Sequence, residues 1–192
     1  MHLHGPSGIP LVRRRACWLA FIGLAVGLLA PHVSAAEAPH EDGRRVKALF
    51  VVNFLSFTGW PPSKLGPAPA RLVIAVVGDP DFAALITAVA AGRDVAGHPI
   101  VVKAVQAPEG ALDAHLVFIA GSQARNVPSI LRALAGAEVL TVGDTDGFAQ
   151  EGVAINLYTF DSRVRIEVNS TAAARAGLRL SANLMRLARV VE

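Results

Sequence analysis

Apolar positions along the chain change period several times, and each change marks an element. Residues 44–58, RRVKALFVVNFLSFT, place Val46, Leu49, Phe50, Asn53, Phe54 and Phe57 at helical spacing. This predicts an amphipathic helix, stopped by Gly59-Trp60-Pro61-Pro62. A Pro/Gly loop over 63–70 follows. Leu72–Val77 is then a continuous apolar run bounded by Gly78, as expected of a strand buried on both faces. The same reading gives a helix over 80–91, a β-branched strand at Ile100–Val105 and a buried strand at Leu116–Ala120. A helix near 124–135 and a strand at Val139–Val142 come next. Residues 153–168, VAINLYTFDSRVRIEV, read as two strands joined by a polar turn at Asp161-Ser162. The tail reads as a short helix from Asn169, a break at Gly177 and a second helix from Ser181.

Three strand ends share one design. Gly78-Asp79-Pro80, Gly121-Ser122 and Gly143-Asp144 each follow an apolar strand. Each offers a glycine for a tight turn, then a side chain able to accept from the orphan N–H groups of a helix start. Strands alternating with helices in this way predict an α/β fold: a three-layer, Rossmann-like sandwich with a mostly parallel central sheet, a C-terminal hairpin and C-terminal helices. The three turns then share one sheet edge, where open α/β sheets bind ligands. Gly78, Asp79, Ser122 and Asp144, with Asp146 nearby, form either a polar crevice for a small ligand or a set of plain helix caps. Capping alone accounts for each residue.

The first 36 residues stand apart. Arg13, Arg14 and Arg15 precede an uncharged apolar run over 16–30, and Ser34, Ala35 and Ala36 supply small residues for a peptidase. This is the pattern of a cleavable export signal, and the apolar run is short for a membrane span. Residues 37–192 are then the working domain, expected in the periplasm. The chain has 18 Lys and Arg, three of them in the leader, against 15 Asp and Glu, so the mature part is formally neutral. No basic field remains to argue for nucleic acid. The one cysteine, Cys17, leaves with the leader, which excludes disulfides and thiol redox chemistry in the domain.

Catalytic and metal motifs are missing from the sequence. There is no G-x-G-x-x-G or P-loop, and Ile119-Ala120-Gly121-Ser122-Gln123 is not a nucleophile elbow. His40, His98 and His115 have no ligand-spaced partner, so nothing calls for a metal or cofactor. The reading is therefore a binding protein and not an enzyme. Trp60 is an exposed anchor for a partner or a clamp of a helix end on the core. Asn169-Ser170-Thr171 is a glycosylation sequon or, better, a helix N-cap. Alternation in Arg163–Val168 predicts one buried face and one displaying Arg163, Arg165 and Glu167. Glu167 is placed to pair with Arg175.

Three ordered stretches carry a resemblance. They are Lys47-Ala-Leu-Phe-Val-Val-Asn53-Phe54 to Trp60-Pro61; Val76-Val-Gly78-Asp79-Pro80 with Phe82; and Gly147-Phe148 through Gly152, Ile155-Asn156, Arg163 to Asn169 and Ala174-Arg175-Ala-Gly177-Leu178 to Ser181. The chain resembles the YfiR family of periplasmic proteins. The resemblance implies an α/β sandwich, often homodimeric, that restrains an inner-membrane diguanylate cyclase by binding its periplasmic sensor part. It also implies an outer-membrane lipoprotein that draws the inhibitor away, releasing cyclic di-GMP synthesis and favouring biofilm. Carried onto this sequence, the partner contacts include Ile155, Glu167 and Arg175. One departure stands out: the best-known type carries disulfides in the region matching Gln150 to Asn156, and this chain has no cysteine there. The second function class kept open is a small-ligand sensor using the strand-end crevice.

Overall fold

The computed structural model describes residues 39–191. The segment read as an export leader lies outside them. Helix α1 (Pro39–Phe54) ends in a 3-10 turn over Leu55–Phe57, then strand β1 (Thr58–Gly59) and the single helical turn α2 (Pro62–Leu65). That turn occupies part of the stretch expected as loop. Strand β2 (Leu72–Val77), helix α3 (Pro80–Ala90), β3 (Asp94–Val95) and β4 (His98–Val105) follow. Next come β5 (Leu116–Ile119), α4 (Val127–Ala133), β6 (Leu140–Gly143), β7 (Ile155–Phe160) and β8 (Arg163–Asn169). The chain closes with α5 (Ser170–Arg175), β9 (Arg179–Leu180), α6 (Ala182–Leu187) and β10 (Arg189–Val191).

Eight strands form one sheet in the order β10-β8-β7-β6-β5-β2-β4-β3. The run β7-β6-β5-β2-β4 is parallel throughout. The hairpin β7–β8 and the β3–β4 pair are antiparallel, and β10 lies parallel to β8. A small β1–β9 ladder ties the end of α1 to the C-terminal segment. The parallel α/β fold expected from the strand ends is the one observed.

Both sheet faces are covered, which is why the parallel strands read as unbroken apolar runs. Leu72, Ile74, Val76, Leu116, Phe118, Leu140 and Val142 pack with α1 and α3 on one face. Ala75, Val77, Val117 and Ile119 alternate onto the other face, against Val127 and Ile130 of α4, Leu134 just after it, and Phe148 and Val153. Two glycines shape the strand ends. Gly78 takes φ +87°, and a Cβ there would meet Ser122 Oγ at 2.6 Å. At Gly143 a Cβ would run into the Phe148 ring.

The buried face of α1 only partly matches the one the spacing selects: Phe54 is buried and Phe50 and Phe57 pack against the core as expected. Ala48, Val51, Val52 and Phe54 form it, continued by Leu55 of the 3-10 turn, while Val46 and Leu49 are each 40% exposed. This helix is apolar on most of its circumference, so two stripes satisfy the period and packing decides between them. The C-terminal strand β10 has no counterpart in the sequence reading, since three residues carry no usable period.

Candidate functional site

The strand-end edge is built as the Gly-Asp and Gly-Ser pattern suggests, but it is not open. Asp79 caps α3, its carboxylate accepting from the Phe82 N–H at 2.8 Å. Pro80 follows at the first helical position, where no N–H is needed. Capping is therefore the right account of Asp79. It fails for the other two: Ser122 Oγ donates to the Gly78 carbonyl at 2.8 Å, and Asp144 accepts from Lys47 Nζ at 2.9 Å. Arg44 reaches Asp79 at 3.1 Å and lies over the Phe82 ring. Arg44 and Lys47 are three residues apart, on one face of α1. Gly78, Asp79, Ser122 and Asp144 thus share one edge, and α1 lays two cations across its carboxylates. The Arg44–Asp79 pair is partly exposed and worth only about 0–1 kcal/mol, while Lys47–Asp144 is more covered. They nevertheless fill the place where an open sheet of this class would hold a ligand.

The residues carried over by resemblance separate. Ile155 is fully buried against Val168 in the hairpin register, and Glu167 is 3% exposed. Neither side chain is displayed on the surface of the domain, which corrects the expectation that Glu167 stands exposed beside Arg163 and Arg165. Nor does Glu167 pair with Arg175. Its carboxylate takes Arg189 of β10, together with the Asn156 side-chain amide at 3.2 Å. A carboxylate so far from water needs such partners to stay charged. Arg175 is exposed and instead lines a pocket of about 340 Å³ between α4 and α5, with Arg132 and Glu151. A larger open groove, about 800 Å³, runs between α1 and the hairpin, lined by Val46, Phe50 and Val164 with Arg44, Lys47 and Arg163.

The opposite end of the parallel strands is structural. His115 precedes β5, accepts from the Val73 N–H at 3.1 Å, and lies 3.1 Å from the Lys64 carbonyl. One ring nitrogen accepts and the other donates, which requires the neutral imidazole. Burial accordingly holds the His115 pKa below its ordinary value. Burial likewise lowers Lys64, whose ammonium donates to the Leu112 and Ala137 carbonyls. Trp60 packs edge-on to His115 and against the core, the clamp of the two readings. His98 starts β4, buried, with Nδ1 2.8 Å from the Ala70 carbonyl. Asn169 caps α5 through the Ala172 N–H at 2.8 Å, as expected. Among the described residues no cluster of three or more His, Cys, Asp or Glu is placed to hold a metal, and no helix is long and apolar enough to cross a membrane.

Three functional groupings escaped the sequence reading: the Arg44 and Lys47 closure, the Glu167–Arg189 pair and the α1–hairpin groove. Lys47 stands in a stretch already notable, but its distance from Asp144 in sequence hides the pairing. Arg189 lies in a strand too short to recognise.

Comparison with known proteins places this geometry. A family model described as YfiR/HmsC-like matches residues 44–189. No curated protein matches the chain. Solved structures share the fold at low identity. A conserved domain protein from Vibrio cholerae is 13% identical with a TM-score of 0.56, covering 76% of this chain. An ABC domain in complex with L-Trp from Streptococcus pneumonia is 9% identical with a TM-score of 0.50, covering 75%. The chain spans 60% of the length of each of these proteins.

Proposed function

Since the chain belongs to the YfiR/HmsC-like family, we propose that it is a periplasmic regulatory protein that represses an inner-membrane diguanylate cyclase by binding its periplasmic sensor part. In this reading an outer-membrane lipoprotein relieves the repression, and the working unit is a homodimer. The observation that supports it most is the family match over nearly the whole domain, 44–189. The closed strand-end edge agrees: α1 covers the Asp79 and Asp144 carboxylates, leaving outer surfaces to work with. The mechanism is differential affinity. A protein that binds the inactive sensor conformation more tightly shifts the population towards it, by no more than that difference in affinity. Deleting the gene should raise cellular cyclic di-GMP. An unchanged level in a strain whose cyclase is intact would sink the proposal.

The second reading, a periplasmic small-ligand sensor, has the pocket between α4 and α5 in its favour, where Arg132, Arg175 and Glu151 meet apolar walls. A ligand that binds only the folded state raises the melting temperature. Under this reading, Arg175→Ala abolishes such a rise; under the first reading, screening finds none.

A further inference from the structure

The hairpin register sorts its side chains between two faces. Residues directly opposite in an antiparallel pair point the same way, and neighbours along a strand alternate. Ile155, Leu157, Ile166 and Val168 therefore share the face packed into the core. The other face carries Asn156, Tyr158 and Phe160 of β7, opposite Glu167, Arg165 and Arg163 of β8. Arg189 joins it from β10, in register with Glu167 and with its guanidinium 5.3 Å from the centre of the Tyr158 ring.

Only the inner end of that face is covered. Asn156 and Glu167 are buried, whereas Phe160 is 59% exposed and Arg163 and Arg165 are exposed. Neither Arg163 nor Arg165 makes an ion pair among the described residues. Three acids belong to the neighbourhood, and Asp42 lines the α1 groove together with Arg163. Glu167 is buried and taken by Arg189, and Asp161 stands in the turn. The exposed strip thus presents three guanidiniums beside two aromatic rings on a domain whose acids and bases balance only when those three are counted. The groove beside α1 shares Arg163 with this strip, but its other two cations, Arg44 and Lys47, are already taken by Asp79 and Asp144.

We infer that this guanidinium and aromatic strip of the hairpin is a docking surface for an acidic protein segment of the partner, and that Glu167 is a positioning residue that holds Arg189 in it. The inference rests on the proposed function for its setting and deepens it by naming the surface. Charge complementarity selects the occupant. Planar guanidiniums bind carboxylates through paired N–H donors, and they stack on rings without losing them. Arg163 and Arg165 stand two residues apart on one strand, about 7 Å, the repeat of side chains on one face of an extended segment. A membrane surface is the weaker fit, since anchoring there calls for a larger cluster of basic residues than three arginines.

The test needs no cyclase, so its failure is separate from failure of the proposed function, which the deletion experiment decides alone. The full exported chain is titrated at low salt with a short peptide alternating Glu and Thr, its Lys-Thr counterpart, and anionic phospholipid vesicles. Expected is binding of the Glu-Thr peptide alone, fading with salt. Arg163→Glu/Arg165→Glu should weaken it at least about tenfold while Arg125→Glu, an exposed arginine elsewhere, leaves it unchanged. Glu167→Gln should weaken it by a smaller factor without altering the circular-dichroism spectrum, and Arg189→Ala should remove that effect of Gln. Equal affinity of wild type and double variant, no peptide binding, or preference for vesicles would overturn the inference.

Discussion

The inner and outer halves of the β7–β8 hairpin are written in the same alternating pattern and meet opposite fates. At the inner half both faces are covered: Ile155 and Val168 enter the main core, and Asn156 with Glu167 closes a buried polar contact behind them. At the outer half only one face is covered, and Phe160, Arg163 and Arg165 stand in water. Alternation fixes which face a side chain takes, but not how far the covering layer extends along the strand. A charge on the covered stretch of the strand therefore becomes part of the scaffold, whereas a charge one repeat outward stays exposed. The residues that resemblance marks as contacts, Ile155 and Glu167, belong to the first group. Their loss would disturb binding through the platform and not through a touching surface.

The sharpest way to break this comparison is at its buried end. Ile155→Ala should cost about 2–5 kcal/mol, the range for deleting a buried aliphatic side chain that leaves a cavity. Urea denaturation reads it directly, and a loss below about 1 kcal/mol would mean the inner half is not packed as described. Glu167→Ala should cost about 1–3 kcal/mol, because the buried Asn156 amide then loses its acceptor. Most of that should return in Asn156→Leu/Glu167→Leu, since two apolar groups leave nothing unsatisfied.

The turn joining the two strands at the outer end gives a smaller effect of opposite sign. Asp161 and Ser162 both adopt left-handed backbone, at φ 49° and 57°. Asn-Gly is the pair that suits this geometry, so Asp161→Asn/Ser162→Gly should raise stability by about 1 kcal/mol. Smallest of all, Arg163→Ala and Arg165→Ala should change stability by no more than about 0.5 kcal/mol, as exposed substitutions do. A larger loss from either would move the outer half into the scaffold and blur the contrast.

A pH titration separates the hairpin from the rest of the sheet. Burial lowers the His115 pKa, so the unfolded chain binds that proton more readily than the folded one. The contribution of neutral His115 is present above the ordinary histidine value, about 6.5, and is lost as pH falls through the lower folded value. Denaturation midpoints should decline over that window in the wild type and more weakly in His115→Gln. A decline unchanged by that substitution would assign the acid sensitivity to other groups.

Much of the fold is legible before any coordinates. Unbroken apolar runs ended by Gly-Asp or Gly-Ser place β2, β5 and β6 to within a residue or two, and the turn at Asp161-Ser162 falls where expected. What escapes is whatever depends on contacts distant in sequence. Val46 and Val51 are equally apolar, and only the packing of α1 on the sheet tells which is inside. Asp144 looks like Asp79 in sequence, yet one caps a helix and the other receives Lys47 from another element. Glu167 reads as a surface charge because Arg189, the partner that lets it stay buried, lies in a strand with no period to detect.

The central claim is that the inner half of the hairpin builds and the outer half binds. Cyclic di-GMP measured in the deletion strain, complemented at equal periplasmic protein level, tests it most directly. Wild-type protein should bring the level down, and Arg163→Glu/Arg165→Glu, with an unchanged denaturation midpoint, should fail to. A double variant that lowers cyclic di-GMP as fully as the wild type would contradict the account.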